Sequence, residues 1–452
     1  MNPNNFEPIP VPSTDEIREI LIRRVDRQKQ TVGIVAGVID PDGRRVVAHG
    51  TLANADPRTP DGDTIFEIGS VSKVFTSLLL ADMVNREEVT LDDPAAKHLP
   101  ESVKMPERNG KSITLLDLST HTSGLPALPS NLKPKDPHNP YADYSVEDLY
   151  QFLSGYELPR DPGSEFEYSN LGAGLLGHLL AYRAGTDYES LIGTRITRPL
   201  SMPDTGITVS SSMKRRMATG HNAILAPAAN WDLPTLAGAG ALRSSANDML
   251  TFLEAFLGYK GSPLAPAMKA MLEVRRPAGQ TKIGLGWLIC ATDGREIAWH
   301  NGGTGGFRSF VGYDPKERIG VVVLSNAGGV DDIGFHLLNS KLPLANPEPP
   351  KRHTEIHIDP KLLDNYTGRY QVTPNLIFEI TRDGDRLFAQ GFAQVTGQAV
   401  VLPKFELFAE SEKNFFARVA DNLITFETGP EGRTTSLILH KAGRDMPAPR
   451  LS

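Results

Sequence analysis

The chain has 452 residues, 40% of them hydrophobic and 22% charged, which leaves room for two or three ordinary globular domains. A formal charge of −7 without a basic cluster argues against a nucleic-acid partner, and a single cysteine, Cys290, excludes a disulfide within the chain. No apolar run approaches the roughly 18 residues that cross a bilayer, so no membrane span is expected.

The first twenty residues, "MNPNNFEPIPVPSTDEIREI", lack a basic stretch followed by an apolar core. As written this reads as a cytoplasmic chain, or as a periplasmic or secreted one if a leader has been removed. "STDEIREILIRRV" predicts a helix capped by Ser13 or Thr14, with Ile17, Ile20, Leu21 and Val25 on its apolar face. "TVGIVAGVID" and "RRVVAHG" predict two strands joined by a turn at Pro41-Asp42-Gly43. Residues 66–84, "FEIGSVSKVFTSLLLADMV", predict a helix apolar nearly all round after Ser72, and therefore buried. From about 90 to 280 helices alternate with loops rich in Pro, Gly and Asn. Strands return at 283–326 in "IGLGWLICA", "EIAWHNGG", "GFRSFVGYD" and "GVVVLSN". This order implies an α/β (α+β) fold: one antiparallel sheet built from both ends of residues 1–340, flanked by helices, with a mainly helical insertion. "KLPLANPEPPKRH", residues 341–353, holds four prolines and reads as a semi-rigid linker. Residues 354–452 show short strands with "RDGDR" and "GPEGR" turns, the pattern of a small antiparallel β-barrel.

The most unusual stretch is "WHNGGTGGFRSF" at 299–310. A phosphate cradle would lead from the glycines into a helix, whereas here another strand follows, and there is no G-K-[ST]. The eleven histidines are scattered, with neither H-E-x-x-H nor C-x-x-C, so no metal and no cofactor is expected. What remains is a strand whose small residues let a substrate approach its backbone.

The nucleophile such a strand would serve is not a G-x-S-x-G serine, for that motif is absent. S-x-x-K occurs three times. Ser130–Lys133 and Ser211–Lys214 lie in polar, loop-like surroundings and read as solvated surface. Ser70–Lys73 opens the buried helix, with Lys73 one turn on and on the same face. Burial would lower the Lys73 pKa, so that its amine could take the proton of Ser70. A capping serine beside a snorkelling lysine is the alternative reading. Tyr168-Ser169-Asn170 stands at a loop-to-helix junction. Tyr168 could relay protons with a pKa lowered by the lysine, Asn170 could orient Lys73 and bind a substrate amide, and Ser169 or Asn170 could cap the helix. On the late strand, the Gly303 N–H could pair with that of Ser70 as an oxyanion hole, and His300 would bring a titratable positive charge. His121 reads as structural, Arg308 as a solvated strand residue and Cys290 as a buried thiol.

Ser70-x-x-Lys73, Tyr168-x-Asn170 and His300-x-Gly302, in this order, resemble the class C β-lactamase and penicillin-binding protein superfamily. "IFEIGSVSKVFTS", "LSTHTSGLP", "YSNLGAGLLG", "GALRSSANDM" and "GVVVLSN" extend the resemblance over roughly residues 15–330. The C-terminal unit is similar to the lipocalin-like barrel appended to several peptidase and esterase members. The resemblance implies acyl transfer through an acyl-enzyme, with Ser70, Lys73 and Tyr168 catalytic. Asn170, His300, Asn301, Gly302 and Gly303 would form the substrate and oxyanion site. Many β-lactamases of this class carry lysine and threonine where this chain has His300 and Asn301. Members with histidine there are often D-aminopeptidases, D,D-peptidases or esterases. The expected activity is a serine hydrolase acting on D-amino-acid peptides, short esters or β-lactam-like substrates. The alternatives are a dedicated β-lactamase and a penicillin-binding sensor with little turnover.

Overall fold

The computed structural model describes residues 10–451 except 274, 350–352, 396–397, 402–403, 418–421, 430–431 and 442–443. The first nine residues of the N-terminal stretch, the end of the proline-rich segment (350–352) and the centre of the "GPEGR" turn lie outside the described residues. The chain divides into two compact units, one of residues up to 221 with 227–348, the other of 222–226 with 349–452.

In the first unit, helix α1 (Thr14–Ile22) begins at Ser13, whose side chain accepts from the Glu16 N–H while the Glu16 carboxylate accepts from the Ser13 N–H. That reciprocal cap satisfies two otherwise unpaired donors of the first turn. Strands β1 (Gly33–Asp40) and β2 (Gly43–Gly50) form the predicted hairpin. Helix α2 (Ser72–Asn85) is buried from Ser72 to Met83, and α3 (Asn170–Ala184) and α4 (Ala246–Phe256) pack in the same helical region. Strands β3 (Arg276–Ala278), β4 (Thr281–Ile283), β5 (Leu288–Thr292), β6 (Arg295–Gly303), β7 (Arg308–Asp314) and β8 (Ile319–Ser325) precede helix α5 (Asp331–Leu338).

These strands make one antiparallel sheet in the order β2-β1-β8-β7-β6-β5-β4-β3. The first and last strands of the unit meet at β1 and β8, in the register Ile34↔Ser325 to Ile39↔Gly320. The mixed α/β architecture read from the sequence is therefore the observed one. Every residue of β1 is buried, because both sheet faces are covered. Ile34, Ala36 and Val38 pack with Ile17 and Leu21 of α1 and Ile333 and Leu337 of α5. Val35 and Ile39 face the other way, into the larger core with Phe75 and Leu78 of α2 and Leu250 and Phe252 of α4. Alternation along the strand is what divides the two cores.

Two predicted elements differ in detail. Phe66–Glu67 form a two-residue strand paired with Arg243–Ser244, Gly69–Val71 form a 3₁₀ turn, and the α-helix starts only at Ser72. Gly69 has φ +50, a conformation that ends the extended segment before the helix can begin. "IGLGWLICA" is two strands rather than one. The chain turns at 284–287, where the Gly284 N–H bonds the Trp287 carbonyl at 2.8 Å and Gly286 has φ +70.

Residues 341–348 of the proline-rich stretch belong to the first unit. Gln28 donates to Asn346, Gln30 donates to the Glu348 carbonyl, and Asp332 accepts the Ala345 N–H. In the second unit, strands β9 (Gly368–Thr373), β10 (Leu376–Asp383), β11 (Arg386–Val395), β12 (Gln398–Val401), β13 (Phe405–Ala409), β14 (Asn414–Phe416), β15 (Asn422–Thr428), β16 (Thr434–Lys441) and β17 (Arg444–Pro449) follow one another. Eight run as β9-β10-β11-β13-β14-β15-β16-β17, with β12 paired to β11. The first and last strands approach where the Leu451 N–H bonds the Arg369 carbonyl and Tyr370 bridges Arg450, so the sheet forms a nearly closed antiparallel barrel. Tyr370, Phe415, Ile424, Phe426 and Leu437 fill its core.

Candidate active site

Ser70 occupies the 3₁₀ turn that feeds α2, directly beside the end of β6. Backbone packs on backbone here. A Cβ on Gly302 would stand 2.0 Å from the Ile68 carbonyl oxygen, and one on Gly69 would stand 2.6 Å from the Gly303 nitrogen. Ser309 on β7 donates its hydroxyl to the same Ile68 carbonyl at 2.7 Å. Glycine is required at both contacts because any side chain would separate the turn from the strand.

Lys73 lies one helical turn beyond Ser70 and is 2% exposed. Its ammonium donates to Ser70 Oγ at 2.9 Å, to Asn170 Oδ1 at 2.7 Å and to the Ala239 carbonyl at 2.7 Å. Burial pushes its pKa down to about 7, so free amine and ammonium coexist at neutral pH.

The Tyr168 ring lies with its centroid 5.0 Å from Lys73 Nζ and 4.5 Å from the His121 ring. Its phenol is pushed up to about 12 by burial, against the opposing pull of its hydrogen bond with the Ser70 side chain. The expected lowering by a lysine charge does not occur, because the phenolate is itself desolvated in this pocket. Tyr168 is held neutral.

Asn170 is the first residue of α3. Ser169 caps that helix, accepting from the Gly172 N–H at 2.8 Å and donating to the Pro126 carbonyl at 2.6 Å. The Asn170 N–H bonds the Ala127 carbonyl, and the Ser169 N–H bonds His121 Nδ1. Cap and orienting residue are thus adjacent, each with its own task. His121, buried at φ +56, acts as a structural acceptor for this junction.

His300 is buried, its ring centroid 6.3 Å from that of Tyr168. Nδ1 donates to the Asn301 carbonyl at 2.6 Å, which leaves Nε2 as an acceptor. Burial, with the nearby Lys73 charge, pushes its pKa down to about 3. The positive charge expected at His300 is therefore absent at neutral pH. Asn301 is also corrected. It alternates to the opposite face of β6 and donates to Asp331 Oδ2 of α5 at 2.6 Å. Asn301 supports the strand from behind rather than facing Ser70.

The cleft at Ser70 has a volume of ≈ 30 Å³ and includes Asn170, Ala239, Gly240 and Gly303 in its walls. Tyr141, Trp231, Leu233, Leu236 and Thr304 complete them, and none of these was picked out from the sequence. The first four come from the long central loops, where no periodicity marks them; Thr304 simply follows the glycines. Arg308 turns its guanidinium back onto the Thr304 and Phe307 carbonyls of its own hairpin, at 2.7 Å each. Ser130, Lys133, Ser211 and Lys214 are exposed. Cys290 is half-buried, with its thiol pKa raised by burial.

Among the described residues there is no group of three His, Cys, Asp or Glu side chains that could hold a metal ion, and no helix long and apolar enough to cross a membrane.

Comparison with known proteins places these features in context. The β-lactamase family model matches residues 19–336, and a domain of unknown function, DUF3471, matches 352–449. The chain is 31% identical over 341 residues to the D-alanyl-D-alanine-carboxypeptidase/endopeptidase AmpH of Escherichia coli, covering 70% of this chain and 87% of that protein. It is 28% identical over 317 residues to a β-lactamase of the same organism, covering 62% and 79%. A β-lactamase/D-alanine carboxypeptidase from Yersinia pestis, solved with citrate, superposes with a TM-score of 0.62 at 26% identity, covering 70% of this chain and 93% of that one. A class C β-lactamase from Rhodobacter sphaeroides superposes with a TM-score of 0.60 at 27% identity, covering 70% and 94%. The chain belongs to the β-lactamase family of serine hydrolases, related to both β-lactamases and D-alanine carboxypeptidases.

Proposed function

We propose that this protein cleaves amide or ester bonds of D-amino-acid peptides through an acyl-enzyme on Ser70. The observation that carries this reading is the buried Lys73, with a pKa near 7, bonded to Ser70 Oγ at 2.9 Å. In the free-amine form Lys73 accepts the Ser70 proton as Oγ attacks the scissile carbonyl. The backbone N–H groups of Ser70 and Gly303 receive the oxyanion. Collapse of the tetrahedral intermediate expels the amine, which takes a proton from the neutral Tyr168 phenol, and Lys73 returns a proton to Tyr168. Water then attacks the ester carbonyl, gives up a proton to the same pair, and Ser70 leaves with its proton restored. Asn170 holds Lys73 through Oδ1 and offers its amide N–H groups to the substrate.

His300 is neutral, so the position that carries lysine in many β-lactamases provides no charge for the carboxylate of a penicillin or of a free D-Ala-D-Ala terminus, which favours substrates uncharged at that end, such as D-amino-acid amides and esters. The choice of a D-amino-acid peptide as acyl donor rests on the similarity to AmpH. The test is intact-mass trapping with D-Ala-D-Ala peptides, D-amino-acid amides, esters and β-lactams. A Ser70-dependent acyl adduct that turns over on D-peptides is expected. An adduct that persists in Ser70→Ala refutes the nucleophile, and rapid turnover confined to β-lactams refutes the substrate class.

A further inference from the structure

Tyr141 and Trp231 wall the Ser70 cleft with rings carried on loops, and the mechanism above uses neither. Tyr141 is buried and Trp231 half-buried, their ring centroids 5.4 Å apart in an edge-on contact. The cleft they cover has a volume of ≈ 30 Å³. A water needs about 10–15 Å³ of such space, so the cleft admits about two waters and no acyl group that bears a ring. A wall must move before a larger donor reaches Ser70.

Most of the walls are pinned. Ala239 and Gly240 belong to the short helical turn Ala237–Gly240, whose Ala239 carbonyl holds Lys73. Gly303 packs on the Ser70 turn. The Trp231 N–H bonds Glu67 Oε1 at 3.0 Å, and its carbonyl accepts from Arg243 Nη2 at 3.1 Å. The loop that carries Tyr141 is different. Among the described residues, the hydrogen bonds of 136–143 mostly close turns within the loop and its base. The Asn139 N–H bonds the Asp136 carbonyl, the Ala142 N–H the Asn139 carbonyl, the Tyr144 N–H the Tyr141 carbonyl, and the Asp143 carboxylate accepts the Lys135 N–H. Asn139 alone reaches outside. Its Nδ2 donates to Asp232 Oδ2 at 2.9 Å, and its Oδ1 accepts the Asp232 N–H at 2.8 Å. These bonds fasten the movable wall to the fixed one, beside the Trp231 ring that Tyr141 touches.

We propose that Asn139 and Asp232 form a clasp that holds Tyr141 over Ser70 and so limits the acyl donor by size. Both are positioning residues that act through Tyr141. Small acyl groups enter with the clasp closed, whereas larger ones enter only the open fraction, and their kcat/KM scales with that fraction. Each hydrogen bond of this kind favours the closed form by about 2- to 10-fold. The effect on catalysis rests on Ser70 being the nucleophile; the position of the loop does not.

The test uses the full chain and two esters with the same leaving group, p-nitrophenyl acetate and p-nitrophenyl phenylacetate, so that only acyl size differs. kcat/KM for each is read for wild type, Asn139→Ala, Asp232→Ala and Asp232→Asn. The phenylacetate-to-acetate ratio should rise about threefold in Asp232→Ala, which loses one bond, and about 10-fold in Asn139→Ala, which loses both. Asp232→Asn keeps an acceptor oxygen for Asn139 and should stay within about twofold of wild type. Acrylamide quenching of tryptophan fluorescence, which needs no catalysis, should rise in the same order as Trp231 is uncovered. Trp287 is fully buried and Trp299 packs against Phe310 and Phe335, so neither should change. A ratio or a quenching constant that is the same in Asn139→Ala as in wild type overturns the clasp, and so does an equal rise in Asp232→Asn. Ester cleavage that survives in Ser70→Ala overturns the nucleophile instead, and the quenching series then decides the clasp by itself.

Discussion

Replacing Asn170 by aspartate puts a carboxylate oxygen where Oδ1 now lies 2.7 Å from Lys73 Nζ, with almost no change of shape. With a Lys73 pKa near 7, kcat/KM on an uncharged ester should rise along one ascending limb centred there, and the rate at pH 8 should exceed that at pH 5 by about 90-fold. No descending limb is expected below pH 10, because the Tyr168 phenol stands at about 12. A carboxylate at contact distance favours the ammonium and typically shifts such a pKa by about 1–3 units. The limb in Asn170→Asp should move up accordingly. For a shift of one unit the rate at pH 7 falls to about one-fifth of wild type relative to plateau, and for two units to about one-fiftieth. The assay is kcat/KM for p-nitrophenyl acetate across pH 5–10, with limb position read separately from plateau height, since the lost amide donors lower only the plateau. A limb that stays near 7 in the variant would refute the assignment of Lys73 as the titrating base.

Two further outcomes follow from packing and burial. Gly302→Ala places a methyl group 2.0 Å from the Ile68 carbonyl, so the Ser70 turn must move. Urea unfolding should show a loss of about 2–3 kcal/mol, and kcat/KM should fall by about 100-fold, whereas a fully active, equally stable variant would show that strand and turn are not in contact. His300 and His121 are held neutral by burial, while in the unfolded chain each binds a proton below about 6.5. The unfolded state then holds more protons, so stability is lost as pH falls from about 6.5 toward the His300 value of about 3. Calorimetric melting at about pH 7, 5.5 and 4.5 should show a smaller acid loss in His300→Gln than in wild type, and equal losses would remove His300 as a contributor.

The parts of the site legible in the sequence are those fixed by short-range geometry. Ser70 and Lys73 are one helical turn apart, and Ser169 caps the helix that Asn170 begins, so spacing alone places them. The sheet was legible because β1 and β8 are short apolar runs and a Pro-Asp-Gly turn separates β1 from β2. Asn301 was misplaced although strand alternation applies to it: consecutive strand residues cannot all face one site, and in the proposed oxyanion hole Gly303 contributes its backbone, which does not depend on the face. The His300 charge and the Tyr168 shift were not legible, because burial depends on which distant segments cover a group. Tyr141 and Trp231 arrive from loops roughly ninety residues apart, joined where Asn139 and Asp232 exchange hydrogen bonds at 2.9 and 2.8 Å. Nothing local in either loop announces that pairing.

The three acceptors around Lys73 Nζ have a consequence for the proposed transfer of the Ser70 proton. An ammonium serves all three with its three protons, but a neutral amine keeps only two protons and one lone pair. Asn170 Oδ1 and the Ala239 carbonyl cannot donate, so each must retain a proton from the amine. Ser70 Oγ alone carries a hydrogen of its own. Loss of the Lys73 proton therefore turns the lone pair toward Ser70 by elimination, and the serine changes from acceptor to donor without any heavy atom moving. The two carbonyl oxygens aim the base, and the cage that holds the cation also sets the direction in which the amine can act.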